Sequence, residues 1–198
     1  MKELVIASKN AGKVAEIAAA LQHLPLKVMS LADFAQIPDA IEDGSTFMEN
    51  ALIKAKYYST LTGKACLADD SGLEVDALQG APGVYSARYA GEAASDADNN
   101  HKLLAEMAQV DSANRTARFR CVLAFVDTNA TVITADGTCE GLILDAARGT
   151  EGFGYDPLFY IPVLNKTLAE ISIADKNAIS HRGAALKSLA AKLVGYFK

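Results

Sequence analysis

The opening of the chain constrains the fold more than any other segment. The run "ELVIAS", residues 3–8, is short, apolar and β-branched, which favours a buried strand. Asn10 can cap the helix that follows, Pro25 ends that helix, and "LKVMSL", residues 26–31, suits a second strand. The apolar residues of the helix recur at spacings of three and four: Val14, Ile17, Ala18 and Leu21. Two strands joined through a helix run parallel, so the chain opens as a β-α-β unit.

The remaining segments extend this opening into an α/β protein. A helix is predicted from the capping-box pair Thr46 and Glu49 to about Thr62, and another from Ser95. The stretch "KACLADDSG" reads as a strand with its exit turn, and "RTARFRCVLAFVD" alternates as a strand does. Two more strands, "ATVITADG" and "TCEGLILD", would form a meander, and a helix follows a glycine-rich loop. We therefore expect a mixed β-sheet flanked by helices, with two lobes and a ligand-binding cleft between them.

Composition narrows the class of protein. The 198 residues suit one domain, residues 1–198, of globular composition with 51% hydrophobic and 22% charged residues. A net charge of -5 argues against a nucleic-acid binder but allows a small phosphorylated ligand. No apolar run suits a signal peptide or a membrane span. Cys66, Cys121 and Cys139 lack CxxC spacing, which indicates core residues of a cytoplasmic protein.

The segment "SKNAGK" lies where a strand passes into a helix. Free backbone N–H groups and the positive end of the helix dipole face outward at such a point. Ser8 and Asn10 add short polar side chains, Gly12 permits close approach, and Lys13 adds a cation. An anion cradle and an ordinary helix N-cap with a solvated lysine both fit this pattern.

The doubled aspartate in "DDSG", Asp69 and Asp70, follows an apolar run. At the end of a strand these carboxylates would bind Mg²⁺ or deprotonate a water molecule. Glu42, just before the capped helix, is a second acidic source. The alternative is a solvated turn at the aspartates, with Glu42 a loop charge.

The loop "GTEGFGYDPLF" holds Phe153 and Tyr155 between glycines and ends in the turn at Asp156. An aromatic ring presented in this way suits stacking on a nucleobase, although an aromatic-anchored loop would look the same.

The last cluster, "DKNAISHRG", gathers donors at the entry to the final helix. Lys176, Ser180, His181 and Arg182 could read carbonyl oxygens on a base edge, or could form a solvated basic helix start. His23 and His101 have no partner motif and are expected at the surface.

Together these motifs resemble the inosine triphosphate pyrophosphatase family, the Ham1-like or RdgB-like enzymes that remove non-standard purine nucleotides. The similarity runs along nearly the whole chain and includes "GSTFMENALIKA", "DDSGL", "GAPGVYSARYAG", "GFGYDP" and "SHRG". It implies hydrolysis of dITP, ITP and XTP to the monophosphate and pyrophosphate, by Mg²⁺-assisted attack of water between the α- and β-phosphates. It also implies a homodimer and an elongated mixed sheet with a central active-site cleft.

The resemblance assigns a role to each candidate residue. Asp70 would activate the water and, with Glu42, bind the metal, while Asp69 supports them. Lys9 stands at a position where the family's motif varies, and it adds positive charge near the phosphates. The triphosphate would be held by Ser8, Lys9, Asn10, Ala11, Gly12, Lys13 and Ser71. The base would stack on Phe153 beside Gly154, Tyr155 and Asp156, and its edge would be read by Lys176, His181 and Arg182.

Two other functions fit parts of the pattern. A Maf-like nucleotide pyrophosphatase that prefers modified pyrimidines or dTTP would share the metal chemistry, but "SHR" and "GFGYDP" argue against it. A non-catalytic nucleotide-binding module would use Asp70 only as a metal or turn residue.

Overall fold

A computed structural model describes residues 2–197, except for the side chains of residues 173, 174 and 177. The helices described are α1 (Ala11–Leu21), α2 (Phe47–Thr62), α3 (Asp96–Glu106), α4 (Ile173–Ile179) and α5 (His181–Tyr196). The strands are β1 (Lys2–Ile6), β2 (Leu26–Ser30), β3 (Ala65–Val75), β4 (Thr116–Val126), β5 (Val132–Ile143), β6 (Phe159–Ile161) and β7 (Lys166–Thr167).

The strands form one seven-stranded sheet in the order β2-β1-β3-β4-β5-β6-β7. β1 pairs in parallel with β2 and with β3, so that Leu4 lies opposite both Val28 and Ala65. β6 is antiparallel to both of its neighbours, β5 and β7. The sheet is therefore mixed, which confirms the predicted α/β class and the β-α-β opening.

The chain divides into two compact units. The first unit holds the described residues up to Asp70, Cys121–Gly137, and those from Arg182 onward. The second unit holds Ser71–Arg120 and Thr138–His181.

The first unit buries β1 on both faces. Leu4 and Ile6 belong to a cluster with residues of α1 and α5, whereas Val5 belongs to a second cluster with Tyr58 of α2. This arrangement explains the continuous apolar run of β1, because a parallel strand covered by helices on both faces needs no polar side. Helix α2 begins as predicted: the Thr46 hydroxyl accepts from Glu49 N at 3.1 Å, and the Glu49 carboxylate accepts from Thr46 N at 3.2 Å.

The second unit packs one face of its strands into a core. Leu73 and Val75 of β3 meet Phe119 of β4 and Leu103 of α3, together with Phe159 of β6. The opposite face carries charge: the Arg118 guanidinium pairs with Asp76 at 2.9 Å and with Glu140 at 3.2 Å.

The turn predicted at "DDSG" is wrong. β3 runs unbroken from Ala65 to Val75, and the aspartates lie in its middle. Extended backbone continues there because both carboxylates find cationic partners on neighbouring helices, Asp69 on α1 and Asp70 on α2.

The two strands predicted between residues 130 and 145 are one strand, β5, of 12 residues. Gly137 lies inside it and does not end the strand. The short elements β6, β7 and α4, which were not predicted, occupy the segment before the last helix. Among residues 2–197, no helix is both long enough and apolar enough to span a membrane.

Candidate active site

The loop before α1 is held by its own side chains. Asn10 caps the helix, since its side-chain oxygen accepts from the backbone N–H of Lys13 at 3.1 Å. The Ser8 hydroxyl accepts from Asn10 N at 3.1 Å. A Cβ added at Gly12, the second residue of α1, would lie 3.2 Å from the Asn10 side-chain oxygen, which is a tight contact. Lys9 is exposed and pairs with Asp39 at 2.7 Å. The N-cap is confirmed.

Asp69 is a buried carboxylate with several donors around it. Lys13 Nζ lies 2.5 Å from one oxygen, and Arg182 Nε lies 3.1 Å from the other. The Cys121 thiol also lies within hydrogen-bonding reach, with its sulfur 3.4 Å from the Asp69 oxygen. Burial alone would raise the pKa of Asp69, but the charges of Lys13 and Arg182 outweigh it and hold that pKa well below its usual range. Asp69 is therefore an ionised structural anion at neutral pH.

Arg182, predicted to read the base edge, is engaged by two carboxylates in the first unit. Besides Asp69, its guanidinium donates to Glu16 at 3.1 Å. Glu16 lies one turn after Lys13 on α1, so both side chains share a helix face. Glu16 was not singled out in the sequence, where it looks like an ordinary helical charge.

Asp70 has a different environment from its neighbour. Successive side chains of a strand point to opposite faces, so Asp69 shares the α1 and α5 side with Leu67, and Asp70 faces α2. There the Lys54 ammonium lies 3.1 Å from Asp70 and 2.8 Å from Glu42. Burial raises the pKa of Asp70 despite the opposing effect of Lys54, and the nearby charges of Glu42 and Asp69 raise it further.

Lys54 is the residue that the sequence analysis missed on this side. It lies three residues after Ala51 and four before Tyr58, both buried, so it falls on the inward stripe of α2. A lysine on the buried face of a helix needs an anionic partner, and that position could have marked Lys54 as a candidate site residue. Because no acidic partner is near it in sequence, the pattern alone could not show what it contacts.

Glu42 and Asp70 fit a hard divalent cation. Their carboxylates already converge on one positive charge, the Lys54 ammonium. Within residues 2–197, no group of three or more His, Cys, Asp or Glu side chains is placed to hold a metal ion. Two carboxylates are nevertheless the complement that Mg²⁺ typically takes from a protein when phosphate oxygens supply further ligands.

The second unit contains a separate cluster around Asp156. This buried carboxylate pairs with Lys176 and accepts from the backbone N–H of Phe153 at 2.9 Å. The Lys176 ammonium lies 4.9 Å from the centre of the Phe153 ring, whose residue is 51% exposed. Gly152 has φ +79°, and a Cβ there would lie 2.1 Å from the Asp156 carboxylate. The structure therefore brings together the predicted stacking aromatic, its acidic neighbour and one predicted base reader.

The other predicted residues of this unit have structural contacts of their own. Tyr155 is buried, and its hydroxyl donates to Ser86 O at 2.8 Å, so it anchors the loop. The backbone N–H of Gly154 donates to Asp96 at 2.7 Å. His181 is buried and stacks on Phe119 with ring centres 4.9 Å apart. Ser71 is half-buried on β3, directly after Asp70.

Family membership follows from comparison with known proteins. The model of the Ham1 family matches residues 4–192. Solved Ham1 proteins have the same fold. One from Coxiella burnetii has a TM-score of 0.92 and 45% identity, and the match covers 98% of this chain and all of that one. One from Staphylococcus aureus has a TM-score of 0.91 and 42% identity over the same shares of the two chains. The chain belongs to the Ham1 family.

Close relatives carry a named activity. A protein of Geobacter sulfurreducens called dITP/XTP pyrophosphatase is 53% identical over 189 residues, which are 96% of this chain and 95% of that protein. A protein of Exiguobacterium sibiricum with the same name is 52% identical over 194 residues, 98% of each chain.

Replacing Asp69 by Asn tests its structural role. The variant removes the negative charge that compensates Lys13 and Arg182, and leaving a buried charge unpaired typically costs about 3–5 kcal/mol. We expect a loss of that size in the free energy of unfolding at pH 7, measured by urea denaturation. The exposed Asp136→Asn is the matched control and should change the free energy by less than about 0.5 kcal/mol.

The pH dependence gives a second readout of the same variant. Because the pKa of Asp69 is lower in the folded protein, its stabilisation is complete above the unfolded-chain pKa of about 3.9 and is lost as the pH falls below it. The difference between wild type and variant should therefore stay constant down to about pH 5 and shrink below about pH 4. A difference that remains constant throughout would contradict this role for Asp69.

Proposed function

We propose that this protein is a dITP/XTP pyrophosphatase. It hydrolyses dITP, ITP and XTP to the nucleoside monophosphate and pyrophosphate and thereby keeps these nucleotides out of DNA and RNA. Membership of the Ham1 family and the names of its relatives support the activity. The main structural support is the difference between the two adjacent aspartates. Asp69 is neutralised by Lys13 and Arg182, whereas Asp70 and Glu42 share a single cation, the Lys54 ammonium.

Asp70 and Glu42 would hold Mg²⁺, and Asp70 would accept the proton of the attacking water. Asp70 is partly buried at this site, and as a carboxylate it can orient the water and take its proton. When bound, Mg²⁺ would neutralise charge on the phosphates and make the phosphorus atom more open to attack by water. Asp69 would support Asp70 by fixing the middle of β3 through its paired cations.

The triphosphate would be bound at the start of α1. The helix begins at Ala11, and the N-terminal end of a helix attracts anions through its backbone N–H groups and its dipole. Gly12 allows close approach, and Lys13 and Lys9 supply charge. The remaining phosphate contacts that we propose are Ser8, Asn10 and Ser71.

Phe153 would stack on the purine, and Lys176 would donate to its edge. Hypoxanthine and xanthine carry a 6-keto acceptor where adenine carries an amino donor, so a fixed donor favours the former. Asp156 orients Lys176 by pairing with it. Gly154 and Tyr155 would complete the wall of the base site.

His181 and Arg182 would add donors on the base edge. For Arg182, the contacts with Asp69 and Glu16 also support a positioning role.

Three broader features belong to the same proposal. The whole chain, whose terminal residues 1 and 198 lie outside the described part, would act as a single catalytic domain. It would work as a homodimer in the cytoplasm, and its partner would be a small nucleotide and not a nucleic acid or a membrane. The composition supports the absence of a nucleic-acid partner, with a net charge of -5.

A pyrophosphate-release assay tests the activity. We expect turnover of dITP and XTP well above that of dATP, dGTP and dTTP, and none of it without Mg²⁺. Preferential turnover of dTTP would instead identify a Maf-like specificity. Binding without turnover of any of the five would identify a nucleotide-binding module.

Asp70→Asn tests the proton acceptor. The amide keeps the size of the side chain but cannot accept the proton, so kcat for dITP should fall by about 10²–10⁴-fold or more. Nucleotide binding, measured by calorimetry with a non-hydrolysable analogue, should largely survive. Asp136→Asn provides the same chemical change at an exposed position and should keep wild-type kcat. A near-wild-type rate for Asp70→Asn would remove Asp70 from this role.

Lys176→Ala tests base recognition. Loss of the donor leaves the 6-keto oxygen unpaired, which typically costs on the order of 1–3 kcal/mol. The ratio of kcat/KM for dITP to that for dATP should therefore fall by about tenfold or more. Lys166→Ala, an exposed lysine on β7 of the same unit, is the control. An unchanged ratio in a folded Lys176→Ala protein would refute the assignment.

A further inference from the structure

Lys54 occupies a position that a catalytic metal ion would need. Its side chain is 12% exposed, and its ammonium contacts Glu42 at 2.8 Å and Asp70 at 3.1 Å. Glu42 and Asp70 are the proposed metal ligands, so any role of Lys54 at this site rests on the proposed function.

The ammonium stays charged in this buried place. Its nitrogen contacts both carboxylates at once, and a lysine of ordinary pKa, about 10.4, is an ammonium ion at neutral pH. At neutral pH the two carboxylates therefore already have a counter-ion supplied by the protein.

We propose that Lys54 is a built-in counter-ion that blocks the metal site until nucleotide binds. Two cations cannot share the same pair of carboxylates without strong repulsion. A divalent ion must therefore displace the ammonium, and a displaced buried ammonium needs another anion. The triphosphate is the anion that this site receives, so the metal ion and the nucleotide bind together and each strengthens binding of the other.

The coupling has two consequences that are fixed by thermodynamics. Without nucleotide the metal ion binds weakly, because its binding must also break the contacts of Lys54 with the two carboxylates. Whatever factor the nucleotide adds to metal affinity, the metal adds to nucleotide affinity, because the coupling of two binding equilibria is reciprocal. Removing the charge of Lys54 should therefore reduce both the effect of nucleotide on metal affinity and the effect of metal on nucleotide affinity.

Metal binding without nucleotide tests the proposal directly. Mn²⁺ serves as the probe, and free Mn²⁺ is measured by electron paramagnetic resonance. Lys54→Met keeps the apolar stem on the buried face of α2 and removes only the charge. We expect it to bind Mn²⁺ on the order of tenfold more tightly than wild type, within the range of typical couplings.

Lys56→Met is the matched control. Lys56 is exposed on the same helix, two residues further on, so this variant removes the same charge without touching the carboxylates. Its Mn²⁺ affinity should stay within about twofold of wild type, since exposed charges interact weakly. Equal Mn²⁺ affinity of folded Lys54→Met and wild type would overturn the proposal, as would an equal gain in the Lys56→Met control.

A second titration adds dITP with an imido bridge between its α- and β-phosphates. In the wild type the analogue should tighten Mn²⁺ binding strongly, and in Lys54→Met by a clearly smaller factor. An unchanged factor would overturn the proposal. Neither titration requires turnover, so failure of the hydrolysis assay and failure of this inference give different results.

The wild-type protein itself provides a measurement if Lys54→Met does not fold. Lysine ammonium groups held by carboxylates give their own ¹H–¹⁵N signals in nuclear magnetic resonance, and Lys54→Arg assigns the signal of Lys54 by its loss. Millimolar Mg²⁺ alone should leave that signal unchanged, and Mg²⁺ with the imido analogue should shift it. A shift of the Lys54 signal with Mg²⁺ alone would contradict the proposal that Lys54 blocks the metal site.

Discussion

The packing of the first unit depends on one buried carboxylate, that of Asp69. A charge inside a core is tolerated only when opposite charges and hydrogen bonds replace the water that it loses. Here Lys13 from α1 and Arg182 from α5 supply them at 2.5 and 3.1 Å. The two helices whose apolar residues cover one face of β1 are thus also joined through a single anion in β3. Their positions follow from charge as well as from apolar contact.

The same strand explains how neighbouring aspartates come to differ. Because side chains alternate across a strand, Asp69 points toward α1 and α5 and Asp70 toward α2. One carboxylate meets two cations and is held in its ionised form. The other meets a single lysine that it shares with Glu42, and its pKa is raised. A turn at this point would not separate the two environments so cleanly.

Much of the fold could be read from the sequence, because it rests on local signals. The capping box at Thr46 and the start of α3 at Ser95 depend on residues within one turn of each other, and the β-α-β opening depends on apolar patterns within each of its three elements. The errors arose where distant residues decide. β3 continues through Asp69 and Asp70 because cations from other elements neutralise them, and Gly137 stays extended inside β5. No local pattern contains that information.

The candidate site follows the same rule. The residue types at "SKNAGK", "DDSG" and "GFGYDP" were recognisable from chemistry and from resemblance, and Phe153, Asp156 and Lys176 do form one cluster. Lys54 and Glu16 were missed because their partners are far away in sequence. Both become visible only when a helix face is placed against a strand.

The pairing of Asp69 with Arg182 also bears on how the chain is made. The two residues are 113 positions apart, and Arg182 lies in the first turn of the last helix. At a synthesis rate of 5–20 residues per second, roughly ten seconds separate the emergence of Asp69 from that of its second counter-charge. During that time β3 has an anion that cannot be fully buried, so the apolar face beside it cannot close. The first unit therefore completes its packing only late in translation, however early its parallel strands have paired.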